Sequence, residues 1–371
     1  MSPPATWPTA RPPTAVPDRR RRGSDARRHP PEMPDLSMHP LVEVEDLHVT
    51  FASREETVRA VNGVSFTLMP GEVLCIIGES GSGKSVTLRA LMRLLPRRRT
   101  VISGRMRVGE HEILALDERT LARMRGAVVS MVFQEPMTAL DPVYTVGRQI
   151  GETVRRHTGC DQRTARARAL ELLELVHIPS AERRLDAYPH ELSGGLRQRA
   201  MIAMALSCSP QLLLADEPTT ALDATVQVQV LILLRRLQRE LGMGMIFVTH
   251  DLGVAAEIAD TIAVMYAGRI VEVGSVAQVL SDPQHPDTAG LLASTVHGQD
   301  KDRDIDAIPG SPPDMRLLRQ GGSLAPRCAR RTSLCRSAVP ETRAHAPGRL
   351  VACFNPTGDS SNPACATGSP K

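Results

Sequence analysis

The sequence predicts an α/β protein built on a mostly parallel sheet, and three observations carry that reading. Apolar runs recur along the chain: "EVLCIIG" (72–78), "AVVSMVF" (127–133), "QLLLADEP" (211–218) and "MGMIFVTH" (243–250). Runs without polar alternation suit strands covered on both faces, as parallel strands are. Helix-like stretches alternate with them, such as "KSVTLRALMRLL" (84–95), closed off by Pro96, and "TARARALELLELV" (164–176). Between the first run and the first helix sits a glycine-rich loop, "GESGSGKS" (78–85).

Taken in order, residues 1–40 are proline-rich, basic and poor in branched apolar side chains, which predicts a disordered tail. Order begins at "LVEVEDLHVTF", where Val42 and Val44, then Leu47, Val49 and Phe51, alternate as in half-buried strands. "VNGVSFTL" offers another such segment. From about residue 300 the chain turns Pro-, Gly- and Cys-rich, which suggests a small separate appendage. The expected division is a tail over 1–40, a core over 41–285 with a helical subdomain at about 135–198, an extension over 286–355, and a flexible tail over 356–371.

Composition narrows the function classes. With 42% hydrophobic residues in 371, a sizeable core is expected. Aromatic residues at 2% argue against a nucleic-acid stacking platform. The net charge of +4 owes much to "RRRR" and "ARRH" near the N-terminus, so it implies no nucleic-acid partner. No apolar run approaches the ~18 residues of a membrane span, and the N-terminus lacks the apolar region of a secretory signal. The expectation is a cytoplasmic chain whose work at a membrane needs other chains to cross it. A cytosolic setting makes a disulfide framework from the seven cysteines an unsuitable reading; Cys75 and Cys208 read as small core residues.

The loop fits G-x-x-x-x-G-K-[ST] between a buried strand and a helix, the context in which that pattern cradles phosphates. Main-chain N–H groups from Gly78 through Glu79, Ser80, Gly81, Ser82 and Gly83 would wrap a nucleotide phosphate. Lys84 would reach the β- and γ-phosphates, and the Ser85 hydroxyl would ligate Mg²⁺. "LLLADEP" supplies the matching acidic strand end. There Asp216 would hold Mg²⁺ and Glu217 would polarise an attacking water. A second phosphate-type turn, Ser193–Gly194–Gly195 in "YPHELSGGLRQRAMIAMAL", opens a helix one element ahead of Asp216.

The presence of two such turns is what the ABC ATPases display, and "LSGGLRQR" resembles their signature motif. In that family the turn binds the γ-phosphate of ATP held by an opposing subunit, so each nucleotide is sandwiched between two chains. The resemblance covers about 41–285 and implies a P-loop NTPase core with an inserted helical subdomain. It also implies roles for further residues. Gln134 in "VFQEPMTALDP" matches the Q-loop glutamine that touches Mg²⁺, Asp223 in "ALD" matches the D-loop at the dimer interface, and His250 in "FVTHD" matches the switch histidine. Phe51 is the aromatic nearest the expected adenine-stacking place, with Val58 as the alternative.

Longer strings narrow the resemblance: "GESGSGKSVT", "FQEPMTALDP", "YPHELSGG", "ADEPTTALD" and "VMYAGRIVE" are similar to the dipeptide/oligopeptide importer family, which includes nickel-chelate importers. This implies an ATP- and Mg²⁺-using motor at the cytoplasmic face of the cell membrane. Its partners would be two transmembrane permeases, a second related ATPase and, indirectly, an extracytoplasmic solute-binding protein. Peptide is the expected cargo and a nickel chelate the alternative; a soluble ABC ATPase acting on nucleic acid or ribosomes fits less well, since the chain has one cassette and no heptad arm. In "DPQHPDTAGLLAS", Asp287 stands where that family has Tyr. Family members also carry late cysteines that can hold an iron–sulfur cluster. Cys328, Cys335 and Cys353 match three of those positions, but Gly322 stands at the first, and Cys365 is the only other late thiol.

Overall fold

The computed structural model describes residues 39–53, 56–220, 222–294, 308–317 and 320–357. Of the tails expected at 1–40 and 356–371, residues 1–38 and 358–371 lie outside the described residues, as do Cys365 and Ala221. In chain order the strands are β1 (Val42–Ala52), β2 (Thr57–Leu68), β3 (Val73–Ile77), β4 (Thr100–Val108), β5 (His111–Glu112) and β6 (Val129–Val132). They continue with β7 (Leu212–Asp216), β8 (Gly244–Thr249), β9 (Thr261–Tyr266), β10 (Arg269–Ser275), β11 (Arg343–Ala346) and β12 (Arg349–Val351).

Two sheets form. The smaller is antiparallel, in the order β2-β1-β4-β5, and the larger runs β11-β12-β10-β9-β3-β8-β7-β6. Within the larger sheet β6, β7, β8, β3 and β9 are parallel neighbours, and β10, β12 and β11 add antiparallel strands at one edge. The apolar runs are apolar throughout because each parallel strand feeds two cores. Cys75, Leu213 and Phe247 face one core, shared with the helices Val146–Thr158, Gln162–Leu175, Gly194–Ala205 and Ala224–Leu241. Leu74, Leu214 and Ile246 face the other, shared with β1, β2, β4 and the helix Lys84–Leu91.

In β1 the apolar positions change parity, from Val44 to Leu47, and the structure gives the cause. The register with both β2 and β4 shifts there, at a bulge in which Asp46 takes a left-handed φ of 47°. The extra residue returns Leu47 and Val49 to the face that Val42 and Val44 occupy. All four are buried.

The C-terminal segment is tied into the main sheet. The hairpin β11–β12 pairs with β10 through Glu272↔Val351 and Val273↔Leu350. A buried ion pair fixes it: Arg349 donates to Glu272 at 2.6 Å, with the two side chains 4% and 0% exposed. The carboxylate of Glu272 also accepts from the main-chain N–H groups of Gln284 and His285. Just beyond, Asp287 opens the helix Pro286–Ala293 fully buried, and neither carboxyl oxygen has a hydrogen-bond partner. Burial pushes its pKa up to about 7, the nearby Glu79 adds to that, and Arg327 opposes it.

Two stability predictions follow from these charges. Arg349→Met leaves Glu272 buried and uncompensated, so the denaturant midpoint should fall by the equivalent of about 3–5 kcal/mol; an unchanged midpoint would show that the hairpin is not held by this pair. Asp287 binds its proton more tightly folded than unfolded. The unfolded chain ionises it near pH 4 while the native chain keeps it protonated to about pH 7. Stability should therefore decline over that window and level off above it, and Asp287→Asn should remove the decline. The variant's gain in melting stability should reach about 2–4 kcal/mol at pH 8 and vanish near pH 4.

Candidate functional site

The site assembles at the C-terminal ends of β3, β6, β7 and β8, where chain reversals leave main-chain groups free to face a ligand. After Ile77 the chain enters the loop 78–83 and then the helix Lys84–Leu91. Gly83 has φ 106°, and a Cβ there would lie 2.4 Å from the Ala60 carbonyl oxygen of β2. Only glycine lets the loop pack that closely. Lys84 is buried at 5% exposure, and its ammonium donates to the carbonyls of Gly78 at 2.7 Å and Glu79 at 2.9 Å. Burial lowers its pKa, against the pull of Glu217 and Asp216.

Asp216 ends β7 fully buried. Its Oδ1 accepts from the Ser85 hydroxyl at 2.6 Å, while Oδ2 has no hydrogen-bond partner and lies 3.6 Å from Arg89. Burial raises its pKa, and the Ser85 bond and Arg89 offset part of that. Glu217 follows with a left-handed φ of 46°, an uncommon backbone for a non-glycine residue, and its N–H donates to Val248 of β8. That turn presents its carboxylate to three strand ends at once. Glu217 Oε2 accepts from Thr220 Oγ1 at 2.9 Å and from Gln134 Nε2 at 3.4 Å, and lies 3.2 Å from Nδ1 of His250.

The structure thus brings together Lys84, Ser85, Gln134, Asp216, Glu217 and His250. It does not bring Ser193, Gly194, Gly195 and Asp223 into that group: neither Ser193 nor Asp223 shares a hydrogen bond or ion pair with it. They form a second, exposed cluster. Ser193 caps the helix Gly194–Ala205 by accepting from Leu196 N–H, and Asp223 caps the helix Ala224–Leu241 by accepting from Val226 N–H at 3.0 Å. The two caps touch, since a Cβ on Gly195 would lie 2.6 Å from a methyl of Val226. Phe51 and Val58 are cross-strand partners at the turn end of the β1–β2 hairpin, both half-buried, so the two adenine candidates share one face.

Sequence reasoning missed three contributors. Thr220 was visible as a hydroxyl three residues after Glu217, a spacing that permits the bond observed. Arg89 lies one helical turn past Ser85, a spacing that puts both near the end of β7. Arg327 gave no local signal, although it donates to both carboxylate oxygens of Glu79. The Glu79 side chain therefore faces Arg327, and only its main chain is left to serve a phosphate.

Cys328, Cys335 and Cys353 line one cavity with Gly322, yet among the described residues no group of three or more His, Cys, Asp or Glu is arranged to hold a metal ion. The thiols serve local turns instead. Cys335 accepts from Thr332 N–H and Cys353 from Asn355 N–H, and burial pushes Cys353 up to about 11. With glycine at 322, the described residues bring three late thiols to this cavity, one short of the four such a cluster takes.

Comparisons with known proteins agree with the geometry. Residues 61–220 match the ABC transporter family, and residues 271–335 match the oligopeptide/dipeptide transporter, C-terminal region. A putative peptide import ATP-binding protein of Brucella abortus (strain 2308) is 50% identical over 317 residues, 82% of this chain and 94% of that protein. The oligopeptide transport ATP-binding protein OppD of Salmonella typhimurium is 48% identical over 316 residues, 85% of this chain and 94% of that protein. A dimeric post-hydrolysis ATP-binding cassette bound to ADP and Pi superimposes with a TM-score of 0.57 at 29% identity, covering 63% of this chain and 98% of that one. The chain belongs to the ABC transporter ATP-binding proteins, in the branch that carries the oligopeptide/dipeptide transporter C-terminal region.

Proposed function

We propose that this chain is the ATP-hydrolysing motor of a membrane importer for di- and oligopeptides, working at the cytoplasmic face. The observation that carries the reading is the meeting of Gln134, Glu217 and His250, from three strand ends, beside the Ser85–Asp216 pair. The peptide cargo is supported by the relatives' names and by the matched C-terminal region, which favour it over a nickel chelate. Among the described residues no helix is long and apolar enough to cross a membrane, so permease chains would do the crossing.

The donor set suits Mg²⁺. A serine hydroxyl and a buried carboxylate with one oxygen lacking a partner are hard oxygen ligands held side by side. The ion, when bound with ATP, neutralises charge on the β- and γ-phosphates. Lys84 would move its ammonium from the loop carbonyls to those phosphates, and the glycine-rich main chain would supply N–H groups. Glu217 would take the proton of the attacking water, with Gln134 and Thr220 fixing its carboxylate. His250, half-exposed and beside Glu217, would contact the γ-phosphate.

The exposed Ser193 cap and Asp223 would face the nucleotide of a second ATPase chain. The dimeric cassette supports that arrangement. Two permeases would meet the surface after Gln134, where Met137, Val143 and Tyr144 are exposed apolar side chains. A solute-binding protein would act only through the permeases.

Lys84→Ala should weaken ATP binding by about ten- to a hundredfold, the loss of a charge-assisted contact of roughly 1.5–3 kcal/mol. Glu217→Gln should bind ATP as the parent does and fail to hydrolyse it, measured as phosphate release by the assembled transporter. Parental turnover by the Gln variant would place the base elsewhere.

A further inference from the structure

A side chain of the C-terminal segment, Arg327, reaches the phosphate-binding loop. Arg327 is 248 residues from Glu79 in sequence and is nearly buried, at 8% side-chain exposure. All five of its N–H donors are used. Nε donates to Pro309 O at 3.0 Å. One terminal nitrogen donates to Glu79 Oε2 at 2.8 Å and to the Tyr266 hydroxyl at 3.2 Å. The other donates to Glu79 Oε1 at 3.0 Å and to Ile308 O at 3.2 Å. A guanidinium has no further donors to offer. This also explains why the neighbouring Asp287 stays unpaired: the cation beside it is saturated.

Glu79 is held at both ends. Its carboxylate takes the bidentate fork of Arg327, and its main-chain carbonyl takes the Lys84 ammonium at 2.9 Å. A change in the fork therefore changes where the loop presents Lys84. We propose that Arg327 is a positioning residue for ATP binding, through which the C-terminal segment sets the conformation of the phosphate loop. A segment that served only to cover the sheet edge would need no charge directed at that loop, because β11–β12 and the Arg349–Glu272 pair already attach it. The bidentate geometry specifies arginine, since lysine is a point charge without the fork.

The inference rests on the nucleotide-site reading, and the test keeps the two apart. ATP affinity of the full-length chain is measured by equilibrium titration with Mg²⁺ for the parent, Arg327→Gln, Arg327→Lys, Glu79→Ala, the Gln/Ala double variant and Lys84→Ala, with melting temperature recorded for each. KM and kcat for ATP are measured in the assembled transporter. Arg327→Gln and Glu79→Ala should each raise Kd and KM about five- to thirtyfold, less than the roughly ten- to hundredfold of a lost direct charged contact because the effect passes through the loop. Arg327→Lys should recover part of the loss. The double variant should bind no more weakly than the weaker single, as expected for two residues acting through one contact. For Arg327→Gln, which touches neither substrate nor the groups at Glu217, kcat should stay within about twofold of the parent. A lowered melting temperature with unchanged ATP affinity in folded Arg327→Gln would overturn the proposal and leave a structural anchor. If that variant does not fold, Glu79→Ala tests the tie from the other side, and unchanged affinity there overturns it equally. A Lys84→Ala chain that binds ATP as the parent does would overturn the site reading and the proposal together.

Discussion

The buried carboxylate of Asp216 is the constraint around which the site is arranged. It stands at the end of a strand covered on both faces, with one oxygen satisfied by Ser85 and the other without a hydrogen-bond partner. An ionised group in that setting is costly, which is why burial raises its pKa. Groups that lessen the cost gather around it: the Ser85 hydroxyl by contact, Arg89 and Lys84 by charge. Positive charge arriving with a bound nucleotide would remove most of what remains. The buried carboxylate and the Ser85 hydroxyl would suit a metal–nucleotide pair, and Lys84 donates to the loop's own carbonyls.

The two cores make this placement possible. Because β3, β7 and β8 are apolar on both faces, their registers are fixed by packing from each side. Glu217 then needs the left-handed turn to bring its carboxylate to Gln134 and His250, which come from the neighbouring strand ends. The strain of that turn is sustained by the Val248 bond behind it and the Thr220 bond in front. The same precision does not extend to the Ser193 cluster. It lies on helix caps at the surface, where the proposed second ATPase chain would meet it.

The parts of this account that were legible in the sequence are those encoded locally. The strand–loop–helix around Lys84, the acidic end of β7 and the Ser-Gly-Gly turn that opens a helix at Ser193 are short-range patterns, and each lies at the strand end or helix start read for it. The buried strands were readable because unbroken apolar runs have few other uses. The bulge at Asp46 showed only as a change in parity, since a left-handed backbone at aspartate leaves no compositional mark. Late cysteine spacing was equally readable, yet spacing says nothing of where thiols point, and here they cap turns. Arg327 was invisible for the same reason: its partner is decided by how the C-terminal segment returns to the cassette, and no local pattern records that.

The role of Asp216 is tested by the Mg²⁺ dependence of ATP affinity, titrated with and without chelator, for the parent and for Asp216→Asn. The asparagine keeps the shape and the Ser85 contact but removes the charge that a cation would join. The account predicts that Mg²⁺ tightens ATP binding in the parent by about tenfold or more, ~1.4 kcal/mol, and that the variant loses most of this gain while its metal-free affinity is retained. An equal Mg²⁺ gain in both chains would contradict it.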